Sequence, residues 1–424
     1  MGQFYMRFNL QYGDGSLPLE INNRLKVETI QPQVIVDISD IDLVLASLEK
    51  EETTIPLSKL AKQVQSATIV INGEMDNDIT ATLLAAVLDS LKTQMLRPEN
   101  IAILCQEPTS APKQRPKLID LLGSLVDLGH PLIAHDPKAS DTLHFVGDTP
   151  THCTPVYVNK AYSEAELKIG VGEIRADVFV GATGGRMSVL PWAAGIRSIE
   201  RNVKLRATHP VGPFMHETAT CIDLEEASRL AGLDYIVNAV PDCCNHVAQI
   251  TAGEPYISWR ESIATVRSVT ETTIKTKADI TFISAGSPHH DRTLYDAIDS
   301  LYSAAQATEQ GGVIILVAEC PEGVGPAGFM RGLSECTSES EVAILSETGF
   351  DIGMAKARLF WNVMKSWTII ICSRLRASVV SEHLHCHAVR DPQEGLELAR
   401  SLIVTLPRIA IIPLGMRTIP ILKT

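Results

Sequence analysis

Unbroken apolar runs, each short enough to be a strand, recur along this chain, and helical spacing follows several of them. "SATIVING" (66–73) precedes "ITATLLAAVLDSLKTQ" (79–94), "NIAILCQ" (100–106) precedes "KLIDLLGSLV" (117–126), and "ADITFISAG" (278–286) precedes "TLYDAIDSLYSAAQAT" (293–308). A strand buried on both faces reads as a continuous apolar run, as in a parallel sheet covered by helices. The expected fold is therefore α/β, with two α/β domains on mostly parallel sheets. "PLIAHD" (131–136), "TPVYVN" (154–159), "AELKIGVGEI" (165–174) and "DYIVNAVPD" (234–242) read as further strands of the first half. "GGVIILVAEC" (311–320), "WTIIICS" (367–373) and "RIAIIPLG" (408–415) do so in the second, and "EEASRLAGL" (225–233) and "EGLELARSLI" (394–403) read as helices. At the start, "MRFNLQYG" and "LPLEI" joined at "GDG" read as a hairpin.

A chain of 424 residues exceeds one compact core, which makes two domains the natural expectation. The polar stretch "RSVTETTIKTK" (267–277) is the best boundary, giving domains 1–268 and 278–424, with the last strand a candidate to return to the first domain. A formal net charge of −13 offers no basic face to a nucleic acid. No apolar run reaches the roughly 18 residues of a membrane span. The first residues lack the charged-then-apolar design of a signal peptide, and nine scattered cysteines do not resemble a disulfide framework. A soluble, cytoplasmic protein is expected.

In open α/β sheets ligands gather beyond the carboxyl ends of the strands. "SPHHDRTLY" at such an edge holds His289, His290, Asp291 and Arg292. Histidine titrates near neutrality and suits proton transfer, and an arginine can clamp a carboxylate through two bonds. The alternative is that Asp291 caps the next helix and both histidines are solvated. "GEIRADVFVGATGGRM" (172–187) brings Glu173, Arg175, Asp177 and Arg186 to another edge, as acid–base and anion-binding groups or as a structural ion-pair set. His209 and His216 sit in "RATHPVGPFMHETA", where a structural role is the favoured reading over a place in a shaped loop near a cleft. In "EHLHCHAV", His383, His385 and His387 share one face if the segment is a strand. Three histidines there would suit zinc or nickel, whereas a solvated edge strand would bind nothing. Cys243 and Cys244 of "PDCCNH", on a strand, would point to opposite faces and not chelate together. Gly323, Gly325 and Gly328 could cradle a phosphate or simply shape a loop.

The order "VNKAYSEAELKIGVGEI" (158–174), "GATGGRMSVLP" (181–191), "FMHETA" (214–219), "GSP" (286–288), "GGVIILVAECPEGVGPAGF" (311–329) and "IIPLG" (411–415) resembles the lactate racemase (LarA-like) family over most of the chain. The resemblance implies two α/β domains flanking a cleft, and inversion of the hydroxyl-bearing carbon of a small 2-hydroxy acid. It implies a nickel–pincer nucleotide tethered to a lysine after "GGR", a nickel-binding histidine, two proton-exchanging histidines and an Asp-His-Thr-Arg-Pro motif. Here Met187 stands at the lysine position beside Gly184 and Gly185, Val203 near the nickel histidine, and Asp177 opposite a proton-transfer histidine. The Asp-His-Thr-Arg motif falls on Glu74, Met75, Asp76 and Asn77, with Glu74 retained in type, and "CQEPTSAP" (105–112) contains no histidine. The cofactor is therefore unknown, and any pincer nucleotide would bind without a covalent tether. Met187 either fills space under a glycine-rich turn or offers sulfur to a soft metal.

Three functions are compatible with these residues. One is a racemase or epimerase of small 2-hydroxy acids, and another a different small-molecule enzyme using His289–Arg292. The third is a non-catalytic relative binding a carboxylate or a partner protein. Catalytic candidates are His289, His290, Asp291 and Asp177, and substrate-binding candidates are Arg292, Arg186, Glu74 and Arg175.

Overall fold

The computed structural model describes residues 5–35, 37–38, 40–50, 55–72, 77–106, 129–209, 212–349 and 351–423. The chain packs as two compact units, Val34–Val269 and Met1–Gln33 with Thr270–Thr424.

The Val34–Val269 unit is built on a six-stranded sheet in the order Val247–Gly253, Tyr235–Pro241, Leu167–Glu173, Ala67–Asn72, Ile101–Gln106, Leu132–His135. Its first pair is antiparallel and every other pair parallel. The apolar run of Ala67–Asn72 feeds the helix Asn77–Thr93, and Ile69, Ile71, Ile169, Val171 and Val237 share a core with its Leu84, Val87 and Leu91. Each such side chain taken out of water contributes about 1.5–3 kcal/mol. The helix expected at 117–126 lies outside the described residues.

The other unit carries a sheet in the order His387–Val389, Thr368–Cys372, Thr308–Val317, Ala278–Ser284, Arg408–Ile412, Lys26–Thr29, parallel throughout. Alternate residues of its apolar runs enter different cores. Ile283, Ile314, Leu316, Ile369 and Ile412 face one, and Ile280, Phe282, Ile315, Ile370 and Ile411 the other. Two buried faces explain why these strands do not alternate with polar residues. The expected hairpin forms from Tyr5–Tyr12 and Gly15–Asn22, and its Leu10, Leu19 and Ile21 complete the second core.

That packing corrects the expected division at 1–268 and 278–424. The opening segment joins the C-terminal half because the hairpin covers its sheet and Lys26–Thr29 pairs with Arg408–Ile412. The expected last strand, Arg408–Ile412, stays in the same unit between Ala278–Ser284 and Lys26–Thr29, and a further strand, Ile419–Leu422, follows it and pairs with Glu271–Ile274. The supposed linker is regular structure, since the helix Pro255–Thr270 runs directly into Glu271–Ile274. Its polar text hides buried Val269 and Ile274. "TLYDAIDSLYSAAQAT" forms two helices, Leu294–Ala297 and Ser300–Ala307. No helix among the described residues is long and apolar enough to cross a membrane.

Candidate functional site

In each sheet the order in which strands are added switches sides at one pair of neighbouring parallel strands, and the crevice beyond their carboxyl ends is the default ligand position. In the C-terminal unit that pair is Ala278–Ser284 and Arg408–Ile412, and "GSPHHDR" begins where the first strand stops. The two strand exits approach closely. Ser284 Oγ donates to Pro413 O at 2.7 Å, and a Cβ on Gly286 would stand 2.8 Å from the Leu414 backbone. His289 and His290 lie on a 3₁₀ turn, Pro288–His290, half-buried with ring centroids 5.5 Å apart. Ser287 Oγ and His290 Nδ1 are 2.6 Å apart, which fixes the ring orientation.

Asp291 points inward. Its carboxylate is 1% exposed and accepts from Gly13 N at 2.8 Å, Glu319 N at 3.2 Å and Gln11 Nε2 at 3.4 Å. Burial raises its pKa above the usual carboxylate value, and the bonds from Gly13 and Glu319 offset only part of that. It neither caps the following helix, a task taken by Thr293, nor presents itself to a ligand. Arg292 is likewise buried, with Nε donating to His289 O at 3.3 Å and 3.9 Å from Asp296 Oδ2. The less buried half of this motif is therefore the histidine pair. Glu319 and the more exposed Arg374, paired at 2.8 Å, extend the edge from the ends of Thr308–Val317 and Thr368–Cys372. They were missed in the sequence because no motif joins residues 55 positions apart.

In the Val34–Val269 unit the switch lies between Ala67–Asn72 and Leu167–Glu173. Glu74, beyond the first strand, lies outside the described residues. Beyond the second, Arg175 Nε donates to the buried Glu173 Oε2 at 2.5 Å and Arg175 Nη2 to Asn245 Oδ1 at 3.0 Å, so this pair is tied to the turn 242–246. Asp177 Oδ1 accepts from Phe179 N at 2.7 Å and Val180 N at 2.8 Å, shaping the turn between Ala176–Asp177 and Gly181–Ala182.

Gly184 and Gly185 have φ of 77° and 52°, conformations only glycine adopts freely. A Cβ on Gly185 would stand 2.9 Å from the Trp259 ring, so the glycine pair makes room for an indole. Trp259 Nε1 donates to Thr183 O at 2.8 Å. Arg186 stacks on that ring at 4.0 Å and donates to Val180 O at 3.1 Å, and its burial pulls the guanidinium pKa down. His216 meets the same ring edge-on at 5.3 Å, its pKa lowered by burial first and by nearby arginines second. An open pocket of ≈ 350 Å³ borders this stack, lined by Arg186, Glu225, Arg229, Glu254, Tyr256 and Trp259. Met187 is half-buried in the 3₁₀ turn Gly185–Ser188, and Val203 is a buried residue of the helix Ile196–Thr208. His209 Nδ1 lies 3.2 Å from Leu205 O at that helix's end.

The three-histidine reading of 383–387 does not hold. His383 ends a π-helical turn, His385 has φ of 53°, and His387 starts the strand His387–Val389, so the residues share no strand face. All three are exposed. Cys243 and Cys244 also differ from expectation. They lie in the turn after Tyr235–Pro241, and with Asp242 their ligand atoms fall within 4.8 Å of one another, a grouping not formed by the histidines among the described residues.

Comparison with known proteins decides the family. The description "Lactate racemase N-terminal domain" matches residues 12–211, and "Lactate racemase C-terminal domain" matches residues 273–419. The chain belongs to the lactate racemase family. It is 24% identical over 392 residues to the lactate racemase of Thermoanaerobacterium thermosaccharolyticum, covering 91% of each chain. It is 22% identical over 393 residues to that of Lactiplantibacillus plantarum, covering 90% of this chain and 91% of the other. The fold is similar to that of the lactate racemase apoprotein from T. thermosaccharolyticum, with a TM-score of 0.86 at 21% identity over 99% of this chain and 100% of that one. A Thermotoga maritima protein of known structure is similar at TM-score 0.65 and 12% identity, over 92% of this chain and all of that one. The family's fold thus accounts for both mostly parallel sheets.

Proposed function

We propose that this family member is a cytoplasmic isomerase of small 2-hydroxy acids, working without a lysine-tethered nickel–pincer nucleotide. Family membership supports the reaction class, since both curated relatives are lactate racemases. The observation that carries the site is Ser287 Oγ 2.6 Å from His290 Nδ1 at the switch point of the C-terminal sheet. When Nδ1–H donates to Ser287, Nε2 is left as a base able to take the proton of a substrate hydroxyl. The His289 ring stands 5.5 Å away as a second proton carrier.

The residues present do not fit a lysine-tethered form of the family's cofactor, so any such group would bind here without a covalent tether. Met187 offers a thioether where a tether needs an amine, and Val203 is 7% exposed and apolar, with no lone pair for nickel. The Gly184–Gly185 turn is filled by Trp259. Inversion at a hydroxyl-bearing carbon requires an electron sink or a hydride acceptor. The histidine pair contributes proton transfer and orientation and is not itself that sink.

The test incubates the chain, purified from its native host, with single enantiomers of lactate and other small 2-hydroxy acids and follows optical purity. Interconversion is expected, with His290→Gln lowering it about 10²-fold or more. A raised Tm with these acids but no interconversion would instead support a carboxylate-binding relative, the reading that Met187 and Val203 favour.

A further inference from the structure

The turn 242–246 joins Tyr235–Pro241 to Val247–Gly253 and closes with Asp242 N donating to His246 O at 2.8 Å. Asp242 is 1% exposed and its Oδ1 accepts from Cys244 N at 2.7 Å and His246 N at 2.9 Å, so the carboxylate organises the turn from inside. Its Oδ2 accepts from Ile35 N at 3.0 Å and retains a lone pair. Asn245, at φ 70°, turns the chain sharply and is held by Arg175 Nη2 at 3.0 Å. The result defeats the strand rule that adjacent side chains diverge, because both sulfurs end on one side.

The distances match a tetrahedral thiolate site. Cys243 Sγ and Cys244 Sγ are 4.0 Å apart. Two thiolates at ~2.3 Å from one tetrahedral Zn²⁺ stand about 3.8 Å apart. His246 Nδ1 lies 3.4 Å from Asp242 Oδ2. A nitrogen and an oxygen ligand at ~2.1 Å also stand about 3.4 Å apart. Asp242, Cys243 and Cys244 already have their ligand atoms within 4.8 Å of one another, and the His246 side chain, 41% exposed, stands against Asp242 at the same turn.

We propose that Asp242, Cys243, Cys244 and His246 form a binding site for a zinc-class divalent cation at the carboxyl edge of the Val34–Val269 sheet. The pair of thiolates selects a borderline-soft metal over Mg²⁺ or Ca²⁺. The buried carboxylate is preorganised by backbone donors, as outer-shell bonding orients metal ligands elsewhere. One exposed thiol, Cys244, gives the ion a path of entry. The site is separate from the histidine pair proposed above, and its occupancy does not depend on any reaction there.

The test uses full-length protein, reduced and stripped with chelator, titrated with Co²⁺ and then displaced with Zn²⁺. One equivalent of Co²⁺ is expected to give a thiolate-to-cobalt charge-transfer band that Zn²⁺ abolishes. Cys244→Ser, at an exposed position, should cut that band about in half and weaken Zn²⁺ binding by more than the ~10–100-fold typical of losing an outer-shell partner. Cys153→Ser, at an exposed cysteine elsewhere, should leave both unchanged. His246→Ala should weaken binding and keep the band. Absence of the band in the reduced native protein, or a band that Cys153→Ser removes and Cys244→Ser does not, overturns the proposal. So does isolation of the native protein with Cys243 and Cys244 joined as a disulfide that, once reduced, binds no Co²⁺.

Discussion

The two strand edges use similar residue types in opposite ways. At Gly184–Met187 an arginine, a histidine and a tryptophan interlock, with Arg186 on one part of Trp259 at 4.0 Å and His216 against it at 5.3 Å. At Ser287–Arg292 the charged pair Asp291 and Arg292 turns inward while two histidines remain half-buried at the surface. One edge has converted its polar groups into packing, and the other has divided them between scaffold and reachable chemistry. A cationic side chain stacked in low dielectric stabilises a loop at the cost of its freedom to meet a ligand.

The contrast is broken most sharply at Trp259. Trp259→Ala should cost about 3–5 kcal/mol, because it empties the space between Gly185, Arg186 and His216. Urea denaturation measures this, and a loss below 1 kcal/mol would mean that the stack is not structural. Asp291→Ala follows at about 2–4 kcal/mol, since the Gly13 and Glu319 amides lose their acceptor. Asp291→Asn should cost less and also change the acid limb of stability. The folded Asp291 pKa is raised above the reference 3.8, so the native state holds a proton that the unfolded chain releases. Its contribution is full below 3.8 and is lost as pH rises through the folded value, a slope the Asn variant should lack.

Gly13→Ala is expected to cost about 1–3 kcal/mol, because φ is 57° and a Cβ there would meet the Glu319 carboxylate. His290→Gln should shift stability by no more than ~0.5 kcal/mol while lowering turnover, the reverse of Trp259→Ala. The smallest effect concerns His216, whose folded pKa lies below 6.5. Stability from keeping it neutral is complete above pH 6.5 and is lost as pH falls through the lowered value, and His216→Gln should flatten that limb. A limb that persists in the variant would assign it to another group.

Much of the fold was legible because both faces of the second sheet are buried, which forces runs such as Val313–Val317 and Ile409–Ile412 to be apolar without interruption. The site was less so. "SPHHDR" was placed at a strand end, where it lies after Ala278–Ser284, but nothing in its text distinguishes the inward Asp291 from the half-buried His290. That choice is made by Gly13, 278 residues away in sequence, donating its amide. The turn-capping bonds of Asp177 were not legible for a local reason: a carboxylate two residues before amides it can cap looks like any other acid until the turn is drawn.

By itself, then, the sequence determined the strand–helix alternation, the buried parallel sheets, the hairpin at "GDG" and the family, because each rests on short-range pattern or ordered motifs. Tertiary structure alone decided which half of the chain owns the first 33 residues, which acids face inward, and that Cys243 and Cys244 share one side of a turn. Those outcomes depend on hydrogen bonds and packing between segments far apart in the chain. Local propensity carries no information about a partner that arrives only when the sheets have assembled.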